Sequence, residues 1–267
     1  MTKNLIYLMV FAFVFAFVSC DKDNEGDSGV TVNTLSAKWE ISDRNSPYAS
    51  FEFNKDGNYI VVRNIEGLRS ASAISKVPLF KSNHLRAAKT RSSESESNLS
   101  PLHFGTYRIE GNRIILSGFG LIEVTSITAE EFSFSFTLEA TGEKNNFVAG
   151  KSEEPISSSS RTDMFCRTWI VETFTEDGEI IEELEEIIGS IVLFSKAGTY
   201  LVLYGGEGGD AGLSEWKWAN QEETELYYSW DNWTDDWSEN IVTITDLTGT
   251  SLIIQEKDFI WSLKLKQ

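Results

Sequence analysis

The side chains that could do chemistry in this 267-residue chain are few and poorly grouped for catalysis. Its two histidines, His84 and His103, both lie in or beside one basic stretch, and its two cysteines, Cys20 and Cys166, lie in different halves. No Gly-x-Ser-x-Gly, His-Glu-x-x-His or Cys-x-x-Cys occurs, so the hydrolase, zinc-protease and dithiol templates lack their residues. Cys166 has no histidine near it in sequence and reads as an inert, buried thiol. Carboxylates crowd the second half, but their abundance makes any acid–base pair arbitrary, and glycosidase chemistry cannot be anchored on them. Asp231-Asn232-Trp233-Thr234-Asp235-Asp236 offers hard oxygens to a cation, yet it has Trp at the third place and no Gly at the sixth, which breaks the EF-hand alternation. The glycine-rich run 205–212 carries Glu207 and Asp210 and no Lys-Ser/Thr, so it reads as a hairpin tip rather than a phosphate cradle. The expectation is a protein with no catalytic residues, no metal and no cofactor.

Binding is better supplied. Trp216, Trp218, Tyr227, Tyr228, Trp230, Trp233 and Trp237 crowd one stretch, and six of the eight tryptophans lie between Trp169 and Trp237. Trp216 and Tyr228 fall on predicted strands; Trp233 and Trp237 fall in a loop with Asp231, Asp235, Asp236 and Glu239. Rings beside carboxylates stack on sugars or hold cationic ligands; the alternative is that they fold back to cap a core.

Cys20 has a use of its own. Met1–Ser19 has Lys3 and then an apolar run from Leu5 to Val18, too short for a membrane span and right for a signal-peptide core. It ends Phe17-Val18-Ser19-Cys20, which resembles a bacterial lipobox, in which the cysteine is lipidated and becomes the mature N-terminus. Each buried CH₂ of an acyl chain contributes about 0.8 kcal/mol to membrane attachment, so several chains anchor durably. An acidic tether follows over 20–33, with Asp21, Asp23, Glu25 and Asp27 and no core-forming run. An acidic run after a lipidated cysteine resembles the signal for export to the outer face of some Gram-negative cells. The implied location is the outer membrane, lipid-anchored, with the cell surface as one option.

These residues must be positioned by a duplicated frame. Phe53, Lys55, Gly57 and Tyr59 recur as Phe194, Lys196, Gly198 and Tyr200 at a constant offset, inside matching strand–turn–strand segments, 51–62 and 192–203. Trp39 is matched by Trp169, the segment 105–109 by 213–218, and 122–128 by 242–248. Phe132, Phe134 and Phe136 alternate with Ser133 and Ser135, the period of a strand with one buried face. Eight strands per half, joined mainly by hairpins, predict an all-β protein of two tandem antiparallel up-and-down barrels, with open sandwiches as the alternative.

The expected units are a signal peptide (1–19), the tether (20–33), barrel 1 (34–151), a Ser-rich linker (152–164) and barrel 2 (165–267). Barrel 1 contains a long basic insertion, 70–102, read as a solvated loop or as an arm that docks on the acidic second half. In the first loop of barrel 2, Ile180, Ile181, Leu184, Ile187 and Ile188 fall on one face of a predicted amphipathic helix that Gly189 would stop. Such a helix plugs the barrel as core or covers a cavity as a lid. Ile181, Leu184 and Ile188 are the lid candidates, and with Trp216, Tyr228, Trp233 and Trp237 they form the expected ligand-binding set.

The segments that open on Trp39 and Trp169, with Gly57-Asn58-Tyr59, Gly198-Thr199-Tyr200 and Gly105-Thr106-Tyr107, resemble the compact lipocalin-like domains of bacterial lipoproteins, over about residues 35–151 and 165–266. The resemblance implies a barrel with an apolar pocket and names no ligand. Charge narrows the partners. Residues 30–151 hold 14 Lys+Arg against 13 Asp+Glu, while 152–267 hold 7 against 24, a net of −17. So acidic a half repels nucleic acid. Two functions remain: capture of a small apolar or amphipathic ligand in a barrel, or an interaction module that presents an acidic surface to a partner protein or glycan.

Overall fold

The structure, a computed structural model, describes residues 29–64, 102–153, 156, 158–180, 187–205, 211–229 and 241–267. The expected signal peptide, most of the expected tether and nearly all of the basic insertion lie outside these residues.

The first half closes into a barrel of eight antiparallel strands in sequence order: β1 (Lys38–Ile41), β2 (Tyr48–Phe53), β3 (Asn58–Arg63), β4 (Leu102–Glu110), β5 (Arg113–Leu116), β6 (Gly120–Ile127), β7 (Glu131–Leu138) and β8 (Lys144–Lys151). Pairing of β1 with β8, Trp39 opposite Lys151, shuts the ring. Closure removes both sheet edges, which explains how a strand-rich chain avoids pairing with its neighbours.

The second half repeats this ring with β9 (Thr168–Glu176), β11 (Ile191–Phe194), β12 (Thr199–Leu203), β13 (Ala211–Trp218), β14 (Glu225–Ser229), β15 (Ile241–Leu247), β16 (Ser251–Glu256) and β17 (Phe259–Leu265). Here β9 closes on β17. The two-residue β10 (Glu179–Ile180) is added on β9.

Duplication holds at the level of single hydrogen bonds. Gly57, at φ +86°, and Gly198, at φ +78°, make the same turn, where only a residue without Cβ adopts a positive φ at no cost. The Gly57 amide donates to Asn54 O at 3.0 Å, and the Gly198 amide to Ser195 O at 3.1 Å. Tyr107 Oη donates to Asn54 O at 3.0 Å; its counterpart Trp216 donates from Nε1 to Ser195 O at 2.9 Å. Trp39 Nε1 donates to Leu35 O at 2.9 Å, and Trp169 Nε1 to Phe165 O at 3.0 Å. The acceptors of that last pair sit on short helices, α1 (Val32–Leu35) and α2 (Ser160–Phe165), each opened by a side-chain cap, Thr31 or Ser159. They occupy the ends of what reads in sequence as tether and linker. Each drops one apolar residue, Leu35 or Phe165, under its barrel's tryptophan.

Rings fill the described interiors. Phe51, Phe53, Phe132, Phe134, Phe136 and Trp39 are fully buried in barrel 1, and Trp169, Trp216, Trp261, Tyr200 and Tyr228 in barrel 2. Neighbouring rings lie at centroid distances such as 4.4 Å for Phe132–Phe134 and 4.8 Å for Phe194–Tyr200, the separations of packed aromatic cores.

The predicted helix of the first loop in barrel 2 is corrected at its start. Ile180 belongs to β10 and is 70% exposed, because Asp177-Gly178, both at positive φ, forms a tight hairpin turn that extends β9 instead. At the other end Ile187 is buried, but Ile188 is 42% exposed. The two therefore do not share a buried face with Ile180. Residues 181–186 lie outside the described residues.

Candidate functional site

Four strands are buried on both faces. In β2 and β3, Phe51, Phe53, Tyr59 and Val61 point into barrel 1, while Glu52, Asn58 and Ile60 on the opposite face are also buried. In β11 and β12, Val192, Phe194, Tyr200 and Val202 fill barrel 2, leaving Ile191, Leu193, Leu201 and Leu203 on its outer face. These outer faces meet. Ile60 joins Ile191, Leu193, Leu201 and Leu203 in one apolar cluster, with Val62, Leu102 and Phe104 packed against it. The repeated hairpin of one half thus packs on the repeated hairpin of the other, and each fully buried aliphatic side chain there contributes about 1.5–3 kcal/mol.

The two sides of this seam differ. On one, Thr168 Oγ1 donates to Asp56 Oδ2 at 2.6 Å and accepts from Asn58 Nδ2 at 3.0 Å, which stitches β9 to the first hairpin turn. On the other, the counterparts of Thr168, Asp56 and Asn58 are Lys38, Ala197 and Thr199, and they do not close. They line a cleft of about 180 Å³ with Ser50, Glu52, Ile60, Val62, Leu213, Ser214 and Glu215.

Glu52 is the distinctive group in this cleft. It is 3% exposed, stands opposite Lys38 and Ile60 in the sheet, and receives Thr199 Oγ1 on Oε2 at 2.7 Å. Its other oxygen, Oε1, is buried without a hydrogen-bond partner. Burial pushes its pKa above the ordinary carboxylate value; the Ser195 and Thr199 hydroxyls and, more weakly, the Lys38 charge oppose that rise. Lys38 itself turns its ammonium toward Glu40, 3.7 Å away. The cleft therefore pairs an apolar wall (Ile60, Val62, Ala197, Leu213) with a polar floor that holds an incompletely satisfied carboxylate. A buried acceptor left unpaired costs about 1–3 kcal/mol, so the arrangement favours a donor entering from outside.

The binding residues expected from sequence fall elsewhere. Trp216 and Tyr228 are packed inside barrel 2, with the Trp216 indole on Ser195 O and the Tyr228 hydroxyl donating to Glu256 Oε1 at 2.6 Å. Ile188 is partly exposed. Cys20, Ile181, Leu184, Trp233 and Trp237 lie outside the described residues. Glu52, Lys38 and Thr199 carried no weight in the sequence reading. The signal for them was available in the repeat: Glu52 stands where barrel 2 has Leu193, Ser50 where it has Ile191, and Lys38 where it has Thr168.

The remaining reactive groups are quiet. Burial pushes the Cys166 thiol well up, so it stays protonated at neutral pH. Burial, with Arg63 nearby, lowers His103 to about 4, and the neutral ring stacks on Phe119 at 4.0 Å. Among the described residues no group of three His, Cys, Asp or Glu side chains is placed to hold a metal ion. No family model matches the chain, and no curated protein is found to be similar to it.

Proposed function

We propose that this chain is a lipid-anchored, non-catalytic binding protein of the bacterial outer membrane, held through Cys20, whose ligand sits at the seam between two lipocalin-like barrels. The observation that carries the reading is the Glu52 cleft: a buried carboxylate with one unpaired oxygen, walled by apolar residues contributed by both halves. The ring-packed interiors support placing the ligand there rather than in a barrel lumen. Membrane attachment rests on the apolar run from Leu5 to Val18 and the cysteine that follows it.

Two experiments test the two parts. Metabolic labelling with a palmitate analogue should mark the full chain in membranes, and Cys20→Ala should abolish the label; a label that persists would refute the anchor. Native mass spectrometry of residues 30–267, in which both barrels lie, should show a co-purified small molecule that is lost when Leu213→Trp fills the mouth of the cleft. Retention of the molecule by that variant would refute the seam as the binding place.

A second reading has its own support. The net charge of −17 over residues 152–267 gives barrel 2 a strongly acidic character, suited to a basic partner protein or to a glycan recognised through its hydroxyls. Salt-dependent capture of such a partner, with no small molecule bound, would favour it.

A further inference from the structure

We infer that the cleft between the barrels binds a primary ammonium group carried on a short aliphatic chain, with the ammonium on the Glu52 carboxylate and the chain against Ile60, Val62 and Leu213. The inference rests on the seam being the binding place and adds the chemistry of what binds. Three observations carry it. Glu52 is buried, lines the cleft, and leaves Oε1 without a donor. A neutral hydroxyl ligand would supply one hydrogen bond but no charge, whereas an ammonium supplies three N–H donors and offsets a carboxylate taken out of water. An anionic ligand would face Glu52 and Glu215 together, against the single cation Lys38 on the lining.

Size and shape set the rest of the molecule. A space of about 180 Å³ is small, and it suits an ammonium group with an alkyl chain of four or five carbons as the part that enters the cleft. Ile60, Val62 and Leu213 line the same cleft as Glu52, so they supply apolar surface for an alkyl chain carried by the ammonium. Thr199 and Ser214 add hydroxyl groups beside the carboxylate. Thr199 already donates to Oε2, while Oε1 is buried with no hydrogen-bond partner.

Lys38 works against the ligand. Its ammonium is drawn off by Glu40, yet it lines the cleft and, among the described residues that do so, is the cation placed to compete for Glu52. Replacing it with a neutral side chain of similar length therefore strengthens the site instead of weakening it, a response that a purely structural Glu52 would not give.

Calorimetry of residues 30–267 with n-butylammonium chloride tests the inference, with n-butanol and sodium butyrate as controls. Saturable binding of the ammonium alone is expected, weakened about tenfold or more by Glu52→Gln, as the loss of a charged hydrogen bond implies. Lys38→Met should tighten it. Leu213→Trp, a change at a position 41% exposed that leaves the core intact, should block it. Absence of saturable binding, equal binding of butanol, or unchanged affinity in a folded Glu52→Gln protein would overturn the inference. If a co-purified molecule is lost on Leu213→Trp while butylammonium fails to bind, the ammonium chemistry falls and the seam site stands; if the molecule survives that change, both fall.

Discussion

The two sides of the inter-barrel seam descend from the same segments of the repeat and have come to opposite ends. Where Thr168 meets Asp56 and Asn58, each polar group reaches across the seam and the contact is closed. Where their counterparts Lys38, Ala197 and Thr199 meet, the same backbone leaves a cleft, because Ala197 is too short to reach and Lys38 turns to Glu40. The outer positions diverge in step: Ile191 and Leu193 in barrel 2 are the packing surface of the seam, and Ser50 and Glu52 in barrel 1 are the floor of a pocket. A duplicated fold thus provides one face for packing and one for the proposed binding cleft without any change of architecture. The proposed function rests on the handful of places where the copies disagree.

The largest disturbance should come from giving the closed face the open face's charge. Leu193→Glu buries a carboxylate in an apolar cluster beside Thr168, whose hydroxyl is already committed to Asp56, and should cost about 3 kcal/mol or more in urea unfolding. It should also raise protease sensitivity between the barrels. A loss under about 1 kcal/mol would mean that the seam is not the dry contact described.

The reverse exchange, Glu52→Leu, should stabilise the protein by about 1–2 kcal/mol, since replacing a buried, poorly paired charge with a well-packed side chain is commonly favourable. Destabilisation would show that Glu52 holds the barrels together. Of similar size and opposite sign is Thr168→Val, which removes the two hydrogen bonds of the closed end at a cost of about 1–2 kcal/mol and leaves Asn58 Nδ2 without its acceptor.

The smallest effect is one of pH. Burial raises the Glu52 pKa in the folded protein, so the folded state holds that proton more tightly than the unfolded chain does. The stability this contributes is fully present below the unfolded carboxylate pKa and is lost as pH rises through the raised folded value. Lys38, Glu40 and Glu215, the charged groups nearest the site, are present in both members of a wild-type and Glu52→Gln pair. The difference between their melting temperatures should therefore vary with pH through Glu52, with Glu52→Gln gaining on the wild type as pH rises. A difference independent of pH would contradict the raised pKa.

Much of this fold was readable from spacing alone. The constant offset of the repeated hairpin, the alternation of Phe132, Phe134 and Phe136 and the glycine turns specify two copies of one strand order, and closure follows from eight strands joined by hairpins. The short helices α1 and α2 were hidden because a helix of 4 or 6 residues shows no full period. The start of the loop in barrel 2 was misread because the isoleucines there satisfy a helical period while Asp177-Gly178 specifies a hairpin turn, and the turn prevailed. The site was the least legible part. Continuous apolar runs such as Tyr200-Leu201-Val202-Leu203 mark a strand buried on both sides, but not what buries it. Only once the second barrel is known to cover that face does Glu52, an acid at a position where the other copy has Leu193, become conspicuous.

Central to the account is that binding occurs between the barrels and not inside them. The most direct measurement is a nitrogen–proton correlation spectrum of residues 30–267 titrated with n-butylammonium. The indole signals of Trp39, Trp169 and Trp216 report on the lumens, and the amides of Glu52, Thr199 and Ser214 report on the seam. The account predicts saturable shifts at those three amides with the indoles unmoved; shifts of the indoles while the seam amides stay still would contradict it.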